Sequence, residues 1–327
     1  MKCIVRKCSL FLLAAAIAFG QTGCGNEIAL EQKYDTFVTT EKYGIGTSGQ
    51  ASDNSFYAKD LCVGGNEDLL DEAVSENLSV SAGLFDVTDR SILYAKNIHE
   101  KRYPASTTKI LTAYVALKYG DLNSTATVSK EALNIDSDSS VCGLSVGDTL
   151  TLEQLLYGLL LSSGNDAANV IAELVSGSQE AFVTLMNQEA LALGATNSHF
   201  VNAHGLQDEQ HYTTAYDLYL IFQAAFSNQL FAQIIRTTDY TAEFTGSKGE
   251  AVKKNWKNSN RYLTGDKEIP EGLTVLGGKT GTTLDAGSCL IMCSQDSKDK
   301  TYISVVMKAD GRDNLYTQMT ELLKKIF

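Results

Sequence analysis

The sequence predicts an α/β fold of the α+β type, in which one antiparallel sheet packs against a helical cluster. Runs with strand character occur near both ends of the compact part of the chain, at Leu78–Asp86, Ser91–Lys96, Leu273–Leu276, Ser288–Ser294 and Tyr302–Lys308. The segment between the early and late runs carries apolar residues at helical spacing instead. A sheet built from N-terminal and C-terminal segments, with helices between them, is therefore expected.

The composition and charge of the chain limit the classes of function. Hydrophobic residues make up 44% of the chain and charged residues 20%, which is typical of a globular protein. The formal net charge of −12 argues against a nucleic-acid partner, because such a partner selects clustered Lys and Arg. The same charge repels anionic lipid and anionic polymers at long range, so membrane contact should depend on a dedicated anchor.

Residues 1–23 are predicted to be a signal peptide. Lys2, Arg6 and Lys7 form a basic start, and the run Ser9–Gly20 (SLFLLAAAIAFG) is apolar. This run is too short to span a bilayer as a stable helix and has the flanks of an export signal. The protein is therefore expected outside the cytoplasm, in the cell envelope.

Cys24 is the candidate for a lipid anchor. The sequence Thr22-Gly23-Cys24 resembles the end of a bacterial lipoprotein signal, in which the cysteine is lipidated and becomes the mature N-terminus. Gln21 stands where such signals usually carry Leu, so plain secretion after cleavage is the alternative. Two or more acyl chains would hold the protein at the outer face of the cytoplasmic membrane.

The other cysteines beyond the signal peptide are predicted to be unpaired thiols. Cys289 and Cys293 lie four residues apart in one predicted strand, which places them on the same face but out of disulfide reach. Cys62 and Cys142 have no neighbouring cysteine in the sequence.

Residues 24–77 are predicted to be a polar tether with one short helix at Glu67–Ser75. This segment is rich in Gly, Ser, Thr, Asn and acidic residues and shows little periodicity. The compact domain is expected to begin near Leu78 and to extend to Phe327. Its first two strands are joined by a turn at residues 87–90.

The helical cluster is predicted from apolar periodicity and from helix boundaries. Pro104 opens the first helix, and Gly194 closes a later one. A break at Ser162–Asn165 separates two consecutive helices. The predicted helices are Thr107–Tyr119, Leu152–Leu161, Asp166–Val175, Gln179–Leu193, Thr214–Phe226 and Asn314–Phe327.

Three short motifs follow one another along the chain: Ser106-Thr107-Thr108-Lys109, Ser163-Gly164-Asn165 and Lys279-Thr280-Gly281. Isolated copies carry little information, because S-x-x-K also fits residues 297–300 and S-x-N also fits residues 52–54 and 75–77. K-T-G occurs once. The order of the motifs, the single K-T-G and the predicted elements around each copy select the working set.

Ser106 and Lys109 are the candidate nucleophile and general base. Residues three apart on a helix share a face, so the Lys109 amine can reach the Ser106 hydroxyl. Lysine can serve as a base only when burial or a neighbouring cation disfavours its charged form. The apolar pair Ile110-Leu111 and the cation Lys279 would supply these effects. Taken alone, an N-capping serine beside a solvated lysine fits the same motif.

Ser163 and Asn165 stand at the predicted break, where Gly164 allows a sharp turn that directs both side chains into a cleft. Ser163 would pass a proton to a leaving amine. Asn165 would hold a substrate amide and the Lys109 side chain. A loop that merely caps the following helix is compatible with the same residues.

Lys279, Thr280 and Gly281 follow a predicted strand and two glycines that permit close approach of another backbone. An extended peptide could lie along this strand edge. Lys279 would add positive potential, and Thr280 would offer a hydroxyl to a carboxylate. The backbone N–H groups of Thr282 and Ser106 are predicted to form an oxyanion hole.

Four longer stretches resemble a single family: Tyr103–Ala113 (YPASTTKILTA), Leu159–Ala168 (LLLSSGNDAA), His199–Leu206 (HFVNAHGL) and Gly277–Thr283 (GGKTGTT). From about Ser79 to Phe327 the chain is similar to the low-molecular-mass penicillin-binding proteins, specifically the serine-type D-alanyl-D-alanine carboxypeptidases. This resemblance implies a β-lactamase/transpeptidase-like fold.

The resemblance also implies an acyl-enzyme mechanism without a metal or other cofactor. The serine would attack the penultimate D-Ala carbonyl of a peptidoglycan stem peptide, D-alanine would leave, and water would hydrolyse the ester. β-Lactam antibiotics would acylate the same serine and inhibit the enzyme. Arg312, in KADGRDN, matches an arginine that the family places near the substrate carboxylate. Many relatives continue into a β-rich domain with an anchor helix, whereas this sequence stops at Phe327, which favours the lipid anchor at Cys24.

Three other functions stay open. A class A β-lactamase shares the three motifs but needs a glutamate in an E-x-x-L-N element, and none stands in residues 197–206. A zinc D,D-peptidase is disfavoured because His99, His199, His204 and His211 form no H-x-x-x-H pair. A non-catalytic penicillin-binding sensor would be acylated without releasing D-alanine.

Overall fold

A computed structural model of the chain describes residues 60–136 and 139–327, and its centre is a five-stranded antiparallel sheet. Its strands are β1 Ser79–Asp86, β2 Ser91–Lys96, β7 Leu273–Thr283, β8 Gly287–Asp296 and β9 Thr301–Ala309. They lie in the order β2-β1-β9-β8-β7, so the first strand of the sequence pairs with the last. The predicted α+β fold, with a sheet built from both ends of the chain, is confirmed.

The helices of the cluster lie between these strands in the sequence, as predicted. They are α1 Lys109–Tyr119, α2 Leu152–Leu161, α3 Asn165–Ser176, α4 Gln179–Ala192, α5 Ala215–Phe226 and α6 Gln229–Arg236. A single turn, α7 Arg261–Thr264, precedes β7, and the long α8 Gly311–Lys324 follows β9. The sequence patterns predict neither α6 nor α7.

The central sheet is covered on both faces, so β8 and β9 are buried almost without interruption instead of alternating. On one face, Ile291 and Val305 join the core of the helical cluster. On the other face, Met292 and Val306 pack in a second core with α8. β7 forms one edge of this sheet, which leaves its outer side free to face a ligand.

A second antiparallel sheet, not predicted from the sequence, packs against the helices. It consists of β3 Thr125–Thr127, β4 Thr149–Thr151, β5 Asp239–Thr245 and β6 Ala251–Lys257, in that order. β3 and β4 are too short to show a period of two. β5 does alternate, because Ala242 and Phe244 are buried while their neighbours are exposed, so its signal is present in the sequence.

The helix predicted at Glu67–Ser75 is wrong. Leu69 instead forms an isolated antiparallel bridge with Ala95 of β2, with backbone hydrogen bonds of 2.8 and 2.9 Å in both directions. Val74 is buried in the core beneath α8. The bridge of Leu69 and the burial of Val74 both require a non-helical backbone that packs along the surface of the domain. This tertiary packing outweighs the local helix propensity.

The compact unit begins by residue 60, so the predicted boundary near Leu78 is also wrong. Cys62 is fully buried, and its N–H donates to the Tyr219 hydroxyl at 2.8 Å. The Cys62 carbonyl accepts a hydrogen bond from the Tyr216 hydroxyl at 2.9 Å. The polar composition of this segment conceals these few anchoring residues.

Three predicted boundaries near the motifs shift in the structure. Ser106 lies in a 3-10 turn, Ala105–Thr108, and α1 begins only at Lys109. β7 continues to Thr283, so K-T-G lies within the strand and not after it. The terminal helix runs from Gly311 to Lys324 instead of Asn314–Phe327.

The four predicted thiols, Cys62, Cys142, Cys289 and Cys293, are buried and free, as expected. The predicted signal peptide and Cys24 lie outside the described residues. In residues 60–136 and 139–327, no single helix is long and apolar enough to cross a bilayer. The pair α5 and α6 reaches that length only jointly, and it bends by 107° at its break.

Candidate active site

The turn before α1 places Ser106 next to Lys109. Side chains three residues apart lie directly above one another in a 3-10 turn, which brings the two groups together. The Lys109 Nζ lies 3.0 Å from the Ser106 Oγ. The contact predicted from the S-x-x-K spacing is therefore present, and a 3-10 turn provides it.

Lys109 is fully buried and surrounded by neutral acceptors. Its Nζ donates to the Asn165 Oδ1 and to the His204 carbonyl oxygen, each at 2.6 Å. Burial holds the pKa of Lys109 well below its usual value of 10.5, and the positive charge of Lys279 lowers it further. An amine in these surroundings can hold its neutral form and accept a proton from the Ser106 hydroxyl.

Ser163 faces the same site from the break between α2 and α3. Its backbone is left-handed, with φ 59, which turns the side chain out of the helical path. The Lys279 Nζ donates to the Ser163 Oγ at 2.9 Å and to the Thr280 carbonyl at 3.0 Å. Burial lowers the pKa of Lys279 to about 7. The three motifs thus converge as predicted.

β7 passes very close to the turn that carries Ser106, and only glycine fits at the crossing. A methyl group on Gly281 would lie 2.9 Å from the Ser106 nitrogen and 3.0 Å from the Pro104 oxygen. Thr280 directly precedes Gly281 in β7, and its Oγ1 lies 2.5 Å from the Ser259 Oγ. The K-T-G glycine therefore sets how closely the strand approaches the reactive hydroxyl.

Ser106, Ser163 and Thr280 open onto a cleft of about 150 Å³, whereas Lys109, Asn165 and Lys279 are buried and do not line it. The predicted residues Thr282 and Arg312 are exposed along it, so the cleft brings together the predicted binding residues of β7 and α8. Among the described residues that line the cleft there is no Asp or Glu. The lining residues are Ser106, Ser140, Ser162, Ser163, Ser259, Arg261, Thr280, Gly281, Thr282, Arg312, Leu315 and Tyr316.

Arg261 is a cation of the cleft that no sequence pattern indicates. Its guanidinium carbon lies 5.4 Å from the Tyr316 ring centroid, and its Nη1 pairs with Asp313 at 3.2 Å. Its backbone N–H donates to the Tyr316 hydroxyl at 2.9 Å. A single half-buried arginine after a loop gives no signal in one sequence, because its contacts depend on α8, which is distant in the chain.

The loop 199–211 is a second element whose role the sequence patterns miss. It supplies the His204 carbonyl to Lys109, and the Asn202 Oδ1 accepts the N–H groups of His204 and Gly205 at 3.3 and 2.7 Å. Gly205 takes φ 88, and a methyl group there would lie 1.9 Å from the Ala105 oxygen. The loop therefore presses directly on the turn that carries Ser106.

His211 fixes the other side of that turn. Its Nδ1 accepts the Val201 N–H at 3.1 Å, so the neutral ring carries its proton on Nε2 and donates it to the Thr108 Oγ1 at 2.7 Å. Burial lowers the pKa of His211 to about 4, which keeps the ring neutral near pH 7. This histidine is a structural partner of the S-x-x-K turn.

Comparison with known proteins identifies relatives along most of the described chain. The D-alanyl-D-alanine carboxypeptidase DacF of Bacillus subtilis is 33% identical over 252 residues, covering 76% of this chain and 61% of that protein. DacB2 of Mycobacterium tuberculosis is 38% identical over 200 residues, covering 61% of this chain and 64% of that protein. The chain thus spans about three fifths of the length of these curated relatives.

Solved structures agree with this relationship. The Streptomyces K15 DD-transpeptidase superposes with a TM-score of 0.71 at 29% identity, covering 77% of this chain and 98% of that one. A D-alanyl-D-alanine carboxypeptidase from Mycobacterium tuberculosis superposes with a TM-score of 0.68 at 30% identity, covering 78% of this chain and 92% of that one. Residues 71–311 match the family described as peptidase S11, D-alanyl-D-alanine carboxypeptidase. On the motifs, the fold and these matches together, the chain belongs to the peptidase S11 family of D-alanyl-D-alanine carboxypeptidases.

Proposed function

We propose that this protein is a serine D,D-carboxypeptidase that removes the terminal D-alanine from peptidoglycan stem peptides through an acyl-enzyme on Ser106. The observation that carries the proposal is the distance of 3.0 Å between the Lys109 Nζ and the Ser106 Oγ, with the Lys109 pKa held well below 10.5 by burial. Such an amine can take the hydroxyl proton as the oxygen attacks a carbonyl.

In the acylation step, the Ser106 oxygen forms a bond to the penultimate D-Ala carbonyl carbon, and Lys109 receives the hydroxyl proton. The C–N bond then breaks, and the departing amine of D-alanine needs a proton. Ser163 is suited to donate that proton, because its Oγ accepts a hydrogen bond from Lys279 at 2.9 Å and retains a hydroxyl hydrogen. Ser163 would then regain a proton from the protonated lysine pair, which leaves Lys109 neutral again. Water later attacks the ester carbonyl and gives a proton to Lys109, which returns it to the Ser106 oxygen as the ester bond breaks.

The substrate would lie extended along the free edge of β7. The backbone N–H groups of Ser106 and Thr282 would stabilise the oxyanion, and Asn165 would hold a substrate amide. Thr280 and Arg312 would bind the terminal carboxylate, for which a guanidinium offers two parallel donors. Arg261 would add positive potential at the same end of the cleft. The close crossing at Gly281 keeps this strand edge within reach of the nucleophile.

β-Lactams would acylate Ser106 and be released slowly. A class A β-lactamase drives deacylation with a glutamate, and no carboxylate is among the described residues that line the cleft. The buried Asp166 is directed elsewhere, because its carboxylate accepts the N–H groups of Cys142 and Leu144 at 2.8 and 3.1 Å. The geometry therefore favours a penicillin-inhibited peptidase over a β-lactamase.

The proposed location is the outer face of the cytoplasmic membrane, with a lipid on Cys24. The support is the signal-like N-terminus and the Thr22-Gly23-Cys24 sequence. Mass spectrometry of the N-terminal peptide of the native protein tests this proposal. A diacyl or triacyl Cys24 supports it, and an unmodified Cys24 contradicts it.

The activity is tested by D-alanine release from diacetyl-lysyl-D-Ala-D-Ala. Ser106→Ala should reduce release by at least about a thousandfold, because the nucleophile is lost. Ser297→Ala is the matched control, since Ser297 belongs to the other S-x-x-K copy in an exposed turn. Equal rates for the wild type and Ser106→Ala would remove the mechanism. Penicillin labelling of Ser106 without D-alanine release would instead identify a non-catalytic sensor.

A further inference from the structure

A cationic hollow lies beside the turn that carries Ser106, outside the cleft. It has a volume of about 340 Å³ and is lined by Lys101, Arg102, Tyr103, Glu209, Tyr212 and Lys308. Arg102 is paired with Glu100, but among the described residues no ion pair is found for Lys101 or Lys308. Its lining residues include three cations and one carboxylate, Glu209, so the hollow carries a net positive charge on a chain whose net charge is −12.

Lys308 reaches this hollow because β9 carries a bulge. Met307 and Lys308 together lie opposite the single residue Cys289 of β8. Lys308 takes φ 56, a left-handed conformation that lysine rarely adopts, and it is exposed although Met307 and Ala309 on either side are buried. Bulges of this kind redirect a side chain and are common next to active sites.

Lys101 is held in place by an aromatic ring. Its Nζ lies 4.1 Å from the centroid of Tyr212. The backbone beneath is fixed, since Arg102 and Thr213 exchange two hydrogen bonds of 2.7 and 2.9 Å. The two unpaired ammonium groups thus come from separate elements, and each is positioned by its own local structure.

The cationic hollow is connected to the cleft through shared lining residues. Lys308 also lines a hollow of about 420 Å³ at the β7–β8 turn, and that hollow shares Thr282 with the cleft. Tyr103, on the wall of the cationic hollow, precedes Ser106 by three residues, so their Cα atoms are at most about 11 Å apart. About three residues of extended peptide cover this distance.

We propose that the cationic hollow binds a carboxylate that the peptide substrate carries two to three residues upstream of the attacked carbonyl. This proposal rests on the proposed function and adds a specificity for acidic peptides. A peptide along β7 that continues past Thr282 passes the intervening hollow, where Asp285 and Asp310 repel an acidic group and Lys308 is the residue shared with the cationic hollow. Lys101 and Lys308 then offer the nearest favourable place for it.

The test compares two synthetic pentapeptides that end in Lys-D-Ala-D-Ala and differ in one group. The second residue is D-isoglutamate in one, with a free carboxylate, and D-isoglutamine in the other, with a carboxamide. Diacetyl-lysyl-D-Ala-D-Ala, which ends before the hollow, is the reference substrate for each protein. The wild type should prefer the carboxylate peptide by about fivefold to tenfold in kcat/KM, and added salt should reduce this preference.

The double variant Lys101→Gln/Lys308→Gln should bring the ratio of the two kcat/KM values to about one. The matched control is Lys130→Gln/Lys298→Gln, which removes two exposed lysines from other surfaces and should retain the wild-type ratio. Equal kcat/KM values for both pentapeptides in the wild type, or a preference that survives in the double variant, would overturn the proposal. If the wild type released no D-alanine from all three substrates, the proposed function would be overturned as well.

Discussion

Two buried lysines, Lys109 and Lys279, determine the chemistry of the candidate site. Each contacts a different serine, at 3.0 Å for Ser106 and 2.9 Å for Ser163. Burial lowers both pKa values, and the charge of Lys279 lowers that of Lys109 further. A neutral Lys109 whose amine lies 3.0 Å from the Ser106 hydroxyl is the arrangement that a general base requires.

The pH dependence of acylation should move when Lys279 is neutralised. As the proposed general base, Lys109 would act in its neutral form, so the rate should rise with pH through the Lys109 pKa. Lys279→Gln removes a positive neighbour, which raises the Lys109 pKa, so the rise in rate should occur at higher pH than in the wild type. The measurement is the second-order rate of penicillin acylation between pH 5 and pH 10.

Lys298→Gln is the control for that experiment, because Lys298 is exposed on the turn beyond the end of β8 at Asp296, whereas Lys279 pairs with Ile291 within the strand. Its pH profile should match that of the wild type. A rising limb that stays in place, or moves to lower pH, in Lys279→Gln would show that the charge of Lys279 does not act on Lys109.

At the scale of elements, the reactive turn Ala105–Thr108 is held between neighbours on several sides. β7 crosses it at Gly281, and the loop 199–211 presses on it at Gly205. His211 bonds the Thr108 hydroxyl at 2.7 Å from within the same loop. Ala105 is held at φ 48, a strained conformation for alanine, and this packing keeps it there. The position of Ser106 is thus set by tertiary contacts more than by the helix that follows it.

Gly205→Ala should impair acylation because the added methyl group would lie 1.9 Å from the Ala105 oxygen. Either the loop or the reactive turn must move, and a shift of about 1 Å at a nucleophile can cost about a hundredfold in rate. Gly249→Ala is the matched control, since Gly249 has a similar φ of 82 and no atom within 4 Å of the added group. The rate of penicillin acylation and the thermal midpoint would be compared for both variants.

The control variant should lose only about 1 kcal/mol of stability from its left-handed backbone and keep the wild-type acylation rate. A Gly205→Ala protein that is acylated as fast as the control would show that the loop does not position Ser106.

The elements show what a single sequence can and cannot predict. Strands β1, β2, β8 and β9 were predictable because their residues alternate between apolar and polar or form continuous apolar runs. The S-x-x-K contact was predictable because its two residues are close in the sequence. The hydrogen bond from Lys109 to the His204 carbonyl was not predictable, because a backbone carbonyl has no side-chain signature in the sequence. Arg261 likewise depends on its distance to α8. The short β3 and β4 carry too few residues for a pattern.

At the scale of the whole molecule, the site joins segments from the beginning, middle and end of the described chain. Ser106 precedes the helical cluster, Ser163 lies within it, and Lys279 follows it on β7. The antiparallel pairing of β1 with β9 brings the first and last strands of the described chain into one sheet. The geometry of the candidate site therefore depends on cooperative folding of the entire unit, and anything that loosens the sheet should also disturb the cleft.

The residues that precede β1 should contribute to the stability of the domain. A chain that begins at residue 60 should retain acylation and stability, whereas one that begins at residue 78, the boundary suggested by composition, should lose about 3–5 kcal/mol of unfolding free energy. The shorter chain exposes apolar surface under Cys62 and Val74, and it leaves the Tyr219 hydroxyl without the Cys62 N–H. For a domain of this size the thermal midpoint should fall by about 6–20 °C. Thermal unfolding with penicillin binding measures both effects, and equal midpoints would mean that residues 60–77 are dispensable to the domain.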